Sequence, residues 1–261
     1  MPANRYNSGN LLKGATGMAR RRRKRPIYSN TYIKRRRIWM VVGVLLAVTL
    51  VALGGWLWTQ RKTGVAKYPV RGVVLSQSDG SADFQALQSS GVAFVYLKST
   101  QGASFFDDSF ATNYQQASGS GLEVGVYHYF SFDSDPGAQA DYFAEKVGKN
   151  IGTLPIGLRV VFYGGYADHP PKPAVLKAKV QAFIVELRRY TTRPLVLMGS
   201  PTALGELKGL DRSAKRWVIS GGRPRFDGAA FWQDGTLTAA GTAYTAVAFM
   251  GSKQALKAAG E

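Results

Sequence analysis

Twenty-one consecutive uncharged residues, IWMVVGVLLAVTLVALGGWLW from Ile38 to Trp58, constrain this chain more than any other feature. As a helix rising ~1.5 Å per residue they would span about 31 Å, close to the ~30 Å hydrocarbon core of a bilayer. Trp39 lies at one end and Trp56 and Trp58 at the other, where indole rings favour the headgroup layer. Hydrophobicity on every face argues against the core helix of a soluble protein, which would carry a polar stripe. A cleaved leader fits poorly as well, because Trp-Leu-Trp-Thr-Gln-Arg-Lys offers no small-residue cleavage site. The expectation is one transmembrane helix over residues 38–58.

Charge gives that helix a direction. The chain has 34 Lys+Arg, 16 Asp+Glu and a formal net charge of +18. Twelve of those basic residues, and no acidic one, lie in residues 1–37, including the runs Arg20 to Arg25 and Lys34 to Arg37. Such a tail cannot bury a core and is expected to be disordered. The far side opens with only Arg61, Lys62 and Lys67. The positive-inside rule therefore puts the tail in the cytoplasm, against anionic lipid, and the remainder outside. Nucleic-acid binding by the Arg run is the weaker reading, and no nucleic acid is expected as a partner.

The remainder divides into a linker, 59–70, and one domain, 71–261. Within it short apolar runs alternate with helical stretches: strands are expected at 71–75, 92–97, 122–130, 158–163, 194–198, 216–219 and 229–233. Helices are expected at 83–89, 108–118, 136–147, 173–189, 201–207 and 252–259. Pro136 and Pro173 stand at or near helix starts, and Gly91, Gly121 and Gly148 follow helix ends. Strict alternation with nearly continuous apolar strands indicates parallel βαβ units buried on both faces. The last 45 residues read mostly as strands and turns. An α/β barrel with an irregular final third fits best, and its working groups would sit at the C-terminal ends of the strands. With 0 Cys and 2 His, thiol catalysis, a disulfide framework and a Cys or three-His metal centre are excluded. No cofactor and no metal is expected.

The stretch RGVVLSQSDGSADFQALQSSGVAFVYLKSTQG, followed by DDSFATNYQQASGSGLEVGVYHYF, FWQ and a closing F-x-G-S, resembles the family 25 glycoside hydrolases. The resemblance holds register from about 71 to 252 through Gly72, Ser76, Lys98, Thr100, Asp107, Phe110, Asn113, His128, Trp232, Gln233 and Phe249, among others. It implies an irregular (β/α) barrel of the lysozyme type and an action on peptidoglycan glycan strands. The family's carboxylates do not carry over. The Asp of its opening motif falls on Val74, the Asp near its end on Thr245, and its central D-x-E, after Leu154-Pro155, on Phe162 and Gly164 in a register open by a residue or two.

Glycosidic cleavage needs an acid for the leaving oxygen and a carboxylate, or an acetamide oriented by one, for the oxocarbenium-like transition state. Val74 and Phe162 supply neither. Other carboxylates that could stand past strand ends are Asp79, Asp133, Asp135, Asp168 and Asp234. Asp168, with Asp133 or Asp234 as partner, is the fallback catalytic pair, and Asp135 before Pro136 reads as a helix cap. Asp107 and Asp108 read as first-turn carboxylates of the following helix. His128 reads as a buried strand histidine in preference to a general base. Tyr127 and Tyr129 share a strand face and, with Trp232 and Gln233, are the candidate sugar-binding residues.

The expectation is a single-pass protein of a bacterial cytoplasmic membrane whose outer lysozyme-like domain binds wall glycan without cutting it. Two alternatives remain: an active muramidase with displaced carboxylates, and an envelope scaffold that docks other proteins.

Overall fold

The computed structural model of the chain describes residues 29–61, 64–222 and 228–261. The chain divides into two compact units, Met1–Gly55 and Trp56–Glu261. The first element is a 33-residue helix, α1 (Ser29–Arg61). Within it Lys34–Leu53 is long and apolar enough to cross a membrane, and none of that window is buried. The polar Thr49 hydroxyl turns back on its own helix, donating to the carbonyls of Leu45 at 3.0 Å and Leu46 at 2.9 Å. Helix α1 begins nine residues before Ile38, so Lys34 to Arg37 are helical. Extending a nucleated helix by Lys and Arg, both good helix formers, costs little. The rest of the expected tail, 1–28, lies outside the described residues.

The second unit is a closed ring of strands. Its elements run β1 (Val70–Leu75), α2 (Phe84–Ser89), β2 (Phe94–Gln101), β3 (Phe105–Phe106), α3 (Phe110–Ser118), β4 (Glu123–Tyr129) and α4 (Pro136–Val147). Then come β5 (Ile156–Arg159), α5 (Gly165–Asp168), α6 (Pro173–Leu187), β6 (Leu195–Gly199), α7 (Pro201–Glu206) and β7 (Lys215–Ile219). A long hairpin, β8 (Ala229–Ala239) and β9 (Thr242–Phe249), and the short α8 (Lys253–Lys257) complete it. The sheet order is β1-β9-β8-β7-β6-β5-β4-β2-β3, and β1 also pairs with β2, which closes eight strands into a barrel with β3 appended. All barrel neighbours are parallel except β9, antiparallel to both β1 and β8. That one reversed strand is the irregularity expected of the final third.

Alternation along each strand builds two cores. One face of the wall, including Val73, Leu75, Val95, Leu97, Val124, Val126 and Leu158, packs under the helices. The other fills the barrel with Val74, Phe94, Tyr96, Tyr127, Met198, Trp217, Phe231 and Val247. The interior is an aromatic stack: Trp217 lies on Phe231 at 5.0 Å, and Tyr96 meets Trp217 edge-on at 4.8 Å. Glycines opposite these rings make the room. A Cβ at Gly72 would overlap the ring of Phe94, and one at Gly125 the ring of Tyr96.

Several element boundaries differ from expectation, and three of the differences have a clear cause in the sequence. Strand β5 stops at Arg159, so Phe162 and Tyr163 lie beyond it and pack against Phe132 on the helix side. An unbroken apolar run, LRVVFY, hid that strand end. The β3 hairpin is too short to leave a sequence pattern, and β9 is rich in Ala and Thr, which blurs its alternation.

Candidate functional site at the barrel mouth

The mouth is the ring of side chains at the C-terminal ends of the parallel strands. Strand β1 presents Val74, only 5% exposed, and its cross-strand partner on β9 is Thr245. Two positions where the family resemblance expects carboxylates therefore stand side by side, and both are neutral. From β5 the strand end after Leu154-Pro155 is Arg159, on the barrel-facing side two residues beyond Gly157. The charged group at this strand end is Arg159, whereas Phe162 lies past the strand and Gly164 caps α5 with a φ of 52°. Strand β2 presents Lys98.

These cations share aromatic neighbours. Lys98 Nζ lies 4.5 Å from the ring centre of Phe105 and 5.6 Å from that of Tyr129, and Arg159 Cζ also stands 5.6 Å from the Tyr129 ring. Lys98 Nζ donates to Gln101 Oε1 at 2.7 Å. Burial pulls the Lys98 ammonium below the usual lysine range; nearby Asp107 opposes that and Arg159 adds to it.

Asp107 is 1% exposed, and burial pushes its carboxyl above the usual aspartate range. It is not in the first turn of α3, as expected from sequence, because that helix starts at Phe110. Its carboxylate instead accepts from the backbone N–H of Gln77 at 2.9 Å and of Ser109 at 3.2 Å, tying the loop after β1 to the loop before α3. Asp79 is similarly occupied, its Oδ2 accepting from the N–H of Ser76 at 2.8 Å and its hydroxyl at 3.0 Å.

The structure separates the expected sugar-binding residues. Tyr129 is half-buried at the mouth, and Gln233 lines a shallow depression there with Ile219, Ser220, Asp234 and Thr245. Tyr127 is 3% exposed and belongs to the barrel filling below. Trp232 is not a mouth residue. It points out of the wall, packs with Val65, Ala246 and Ala248, and meets Tyr68 edge-on at 5.8 Å. A one-residue alternation separates it from Gln233 and Phe231, and the family motif alone did not say which of the three faces inward.

The fallback carboxylates are not brought together by any shared contact. Both oxygens of Asp133 are held, by the hydroxyls of Tyr163 at 3.0 Å and Tyr166 at 2.8 Å. Asp168 is exposed at the end of α5. Asp234 is half-buried across the mouth in the depression just described. Asp135 caps α4, accepting from the Ala138 N–H at 2.9 Å. His128 is fully buried between the wall and the helices, with Nδ1 2.8 Å from Thr100 Oγ1 and Nε2 3.1 Å from Gln139 Oε1. It stacks on Phe183 at 4.9 Å, and burial lowers its pKa to about 4. Sequence reasoning missed Arg159. The signal was the Leu-Pro preceding β5, had the strand been ended four residues sooner. No cluster of three or more His, Cys, Asp or Glu suited to a metal occurs among the described residues.

Comparison with known proteins follows the same geometry. The family profile described as glycosyl hydrolases family 25 matches residues 73–203. A family 25 glycosyl hydrolase from Bacillus anthracis superposes with a TM-score of 0.68 and 25% identity, covering 75% of this chain and 95% of that one. A bacterial lysozyme from Streptomyces coelicolor gives 0.65 and 25%, covering 74% and 98%. In sequence, Lysozyme M1 of Streptomyces globisporus is 29% identical over 169 residues, 59% of this chain and 55% of that protein. The chain thus spans about half, or less, of the length of the curated lysozymes it matches. With the profile covering half the sequence and solved barrels of that family matching almost end to end, the chain belongs to family 25 of the glycosyl hydrolases.

Proposed function

We propose that this protein is a membrane-anchored, lysozyme-like domain that binds peptidoglycan glycan strands and has lost the ability to cleave them. One observation carries the proposal: Val74 and Thr245, two positions where the family resemblance calls for carboxylates, stand side by side at the mouth as neutral residues, and the charged group at the end of β5 is the cation Arg159. None of the three can donate a proton to a leaving glycosidic oxygen at neutral pH. None can place negative charge beside an oxocarbenium-like centre, and a guanidinium there would oppose it. General acid catalysis alone is typically worth ~10²–10⁴-fold, so losing it together with the stabilising carboxylate removes the basis of the reaction. Asp107, despite its raised pKa, is buried and spends its carboxylate on two backbone N–H groups.

The choice of ligand rests on the lysozymes that this chain resembles. The anchor rests on the uncovered apolar window of α1 and on the basic residues before it. In this reading the basic tail lies at the cytoplasmic face of a bacterial membrane, in contact with anionic lipid, and the barrel faces the wall.

The test is muropeptide release from purified sacculi by the full chain in detergent micelles, read by chromatography after reduction of new sugar ends, with co-sedimentation scored in parallel. Binding without new muramic reducing ends is the expected result. New ends would overturn the loss of hydrolysis and bring Asp168, Asp133 and Asp234 forward as displaced acids. Neither binding nor cleavage would favour a protein scaffold.

A further inference from the structure

The mouth has more positive charge than a neutral sugar needs. Among the described residues neither Lys98 nor Arg159 has an ion-pair partner within 4 Å, and Arg159 Nε is buried with no hydrogen-bond partner. Lys98 and Arg159 stand on one tyrosine ring in a half-buried site; burial above all, and Arg159 to a lesser degree, disfavours the Lys98 charge, with Asp107 opposing both. An unpaired buried donor such as Arg159 Nε adds a further cost. An arriving anion would offset both. Across the mouth Ser220 Oγ and Gln233 Oε1 are also buried without partners among the described residues, leaving a hydroxyl and an amide oxygen for sugar groups.

We propose that the barrel mouth reads an anion on the glycan, with Arg159 and Lys98 taking the carboxylate of an acidic sugar. This deepens the non-cleaving, glycan-binding function proposed above and rests on it. On a peptidoglycan strand the carboxylate borne by the sugar itself is the lactyl group of muramic acid, and attachment of a peptide converts it to a neutral amide. The ligand class is therefore a strand, or strand end, whose muramic residues carry no peptide. Where the family resemblance calls for carboxylates, this mouth has the neutral Val74 and Thr245, with Lys98 and Arg159 nearby as cations that could take such a group. Tyr129, already flanked by both cations, offers a ring edge or face to the same sugar.

Binding to the full chain in nonionic micelles would be measured by calorimetry with three probes: the disaccharide N-acetylglucosaminyl-N-acetylmuramic acid, its methyl ester and N-acetylglucosamine 1-phosphate. The free acid should bind about tenfold or more tighter than the ester, the size expected of a charge-assisted contact. Arg159→Gln should erase most of that preference, and Arg159→Lys should keep part of it. The acid-versus-ester comparison on the unaltered protein decides the matter even if a variant fails to fold. Equal binding of acid and ester, a preference that survives Arg159→Gln, or tighter binding of the sugar phosphate would each overturn the assignment. Cleavage of sacculi would instead overturn the underlying function, and because that is scored separately the two failures are distinguishable.

Discussion

The floor and the mouth of one barrel have been built by different rules. The floor is dry and aromatic, with Phe94, Tyr96, Trp217 and Phe231 fully buried and glycines opposite them where rings need space. The mouth, one or two residues further along the same strands, carries Lys98, Arg159, Tyr129 and Gln233, and several of its polar atoms are unpaired. Packing tolerates few changes of volume, so the floor preserves the family's shape. The rim residues Lys98, Tyr129, Arg159 and Gln233 are only partly buried, so a change of charge there disturbs packing less. Fold and chemistry separate along the length of a strand.

That contrast is broken most directly from the floor. Trp217→Ala should cost about 3–5 kcal/mol, because it opens a large cavity beneath the Tyr96 and Phe231 rings. Urea unfolding followed by tyrosine and tryptophan emission would measure it. A loss under about 1 kcal/mol would mean the stack is not what holds the barrel closed.

The helix-side core gives the next largest effect, and it depends on pH. His128 has its pKa lowered to about 4 in the fold, against the ordinary value of 6.5. Between those values the unfolded chain binds the proton and the folded one does not. The stability of neutral His128 is therefore complete above about pH 6.5 and lost as pH falls towards about 4, by roughly 3 kcal/mol at most. Urea midpoints at pH 7 and pH 5 should differ, and the difference should shrink in His128→Gln. An unchanged slope in that variant would place the acid sensitivity elsewhere.

How much of this was legible beforehand follows the same division. The repeating β and α pattern, the caps at Asp135 and Pro136, and the buried character of His128 could be read because each has a local cause in the sequence. The direction of single side chains could not. Trp232, Gln233 and Phe231 are consecutive, and only the closed register with β7 and β9 shows that Trp232 leaves the barrel. The end of β5 was hidden because Val160, Val161 and Phe162 continue the apolar run after the strand pairing has stopped. Arg159 thus passed as one residue within a longer strand, although it stands at the strand's end and at the mouth.

At the rim, Tyr129→Ala should leave the urea midpoint nearly unchanged while weakening co-sedimentation with sacculi several-fold. The ring is half-exposed, so little burial is lost, yet both mouth cations lean on it. A large stability loss with full retention of binding would reverse the assignment of Tyr129 from ligand contact to packing.

The smallest effect is expected at Asp168. This carboxylate is exposed at the end of a four-residue helix, and no hydrogen bond or ion pair to it occurs among the described residues. Asp168→Asn should move stability by no more than about 0.5 kcal/mol, as is usual for an isolated surface position. It should also leave glycan binding untouched, since the anion-reading cations stand at the ends of β2 and β5. Its value is as a control on catalysis. If the chain retains any slow release of reducing ends, and Asp168→Asn abolishes it with the fold intact, then an exposed acid outside the strand ends is working. The mouth would then have moved its chemistry to a loop, and the separation of rigid floor from variable rim would have to be redrawn to include α5.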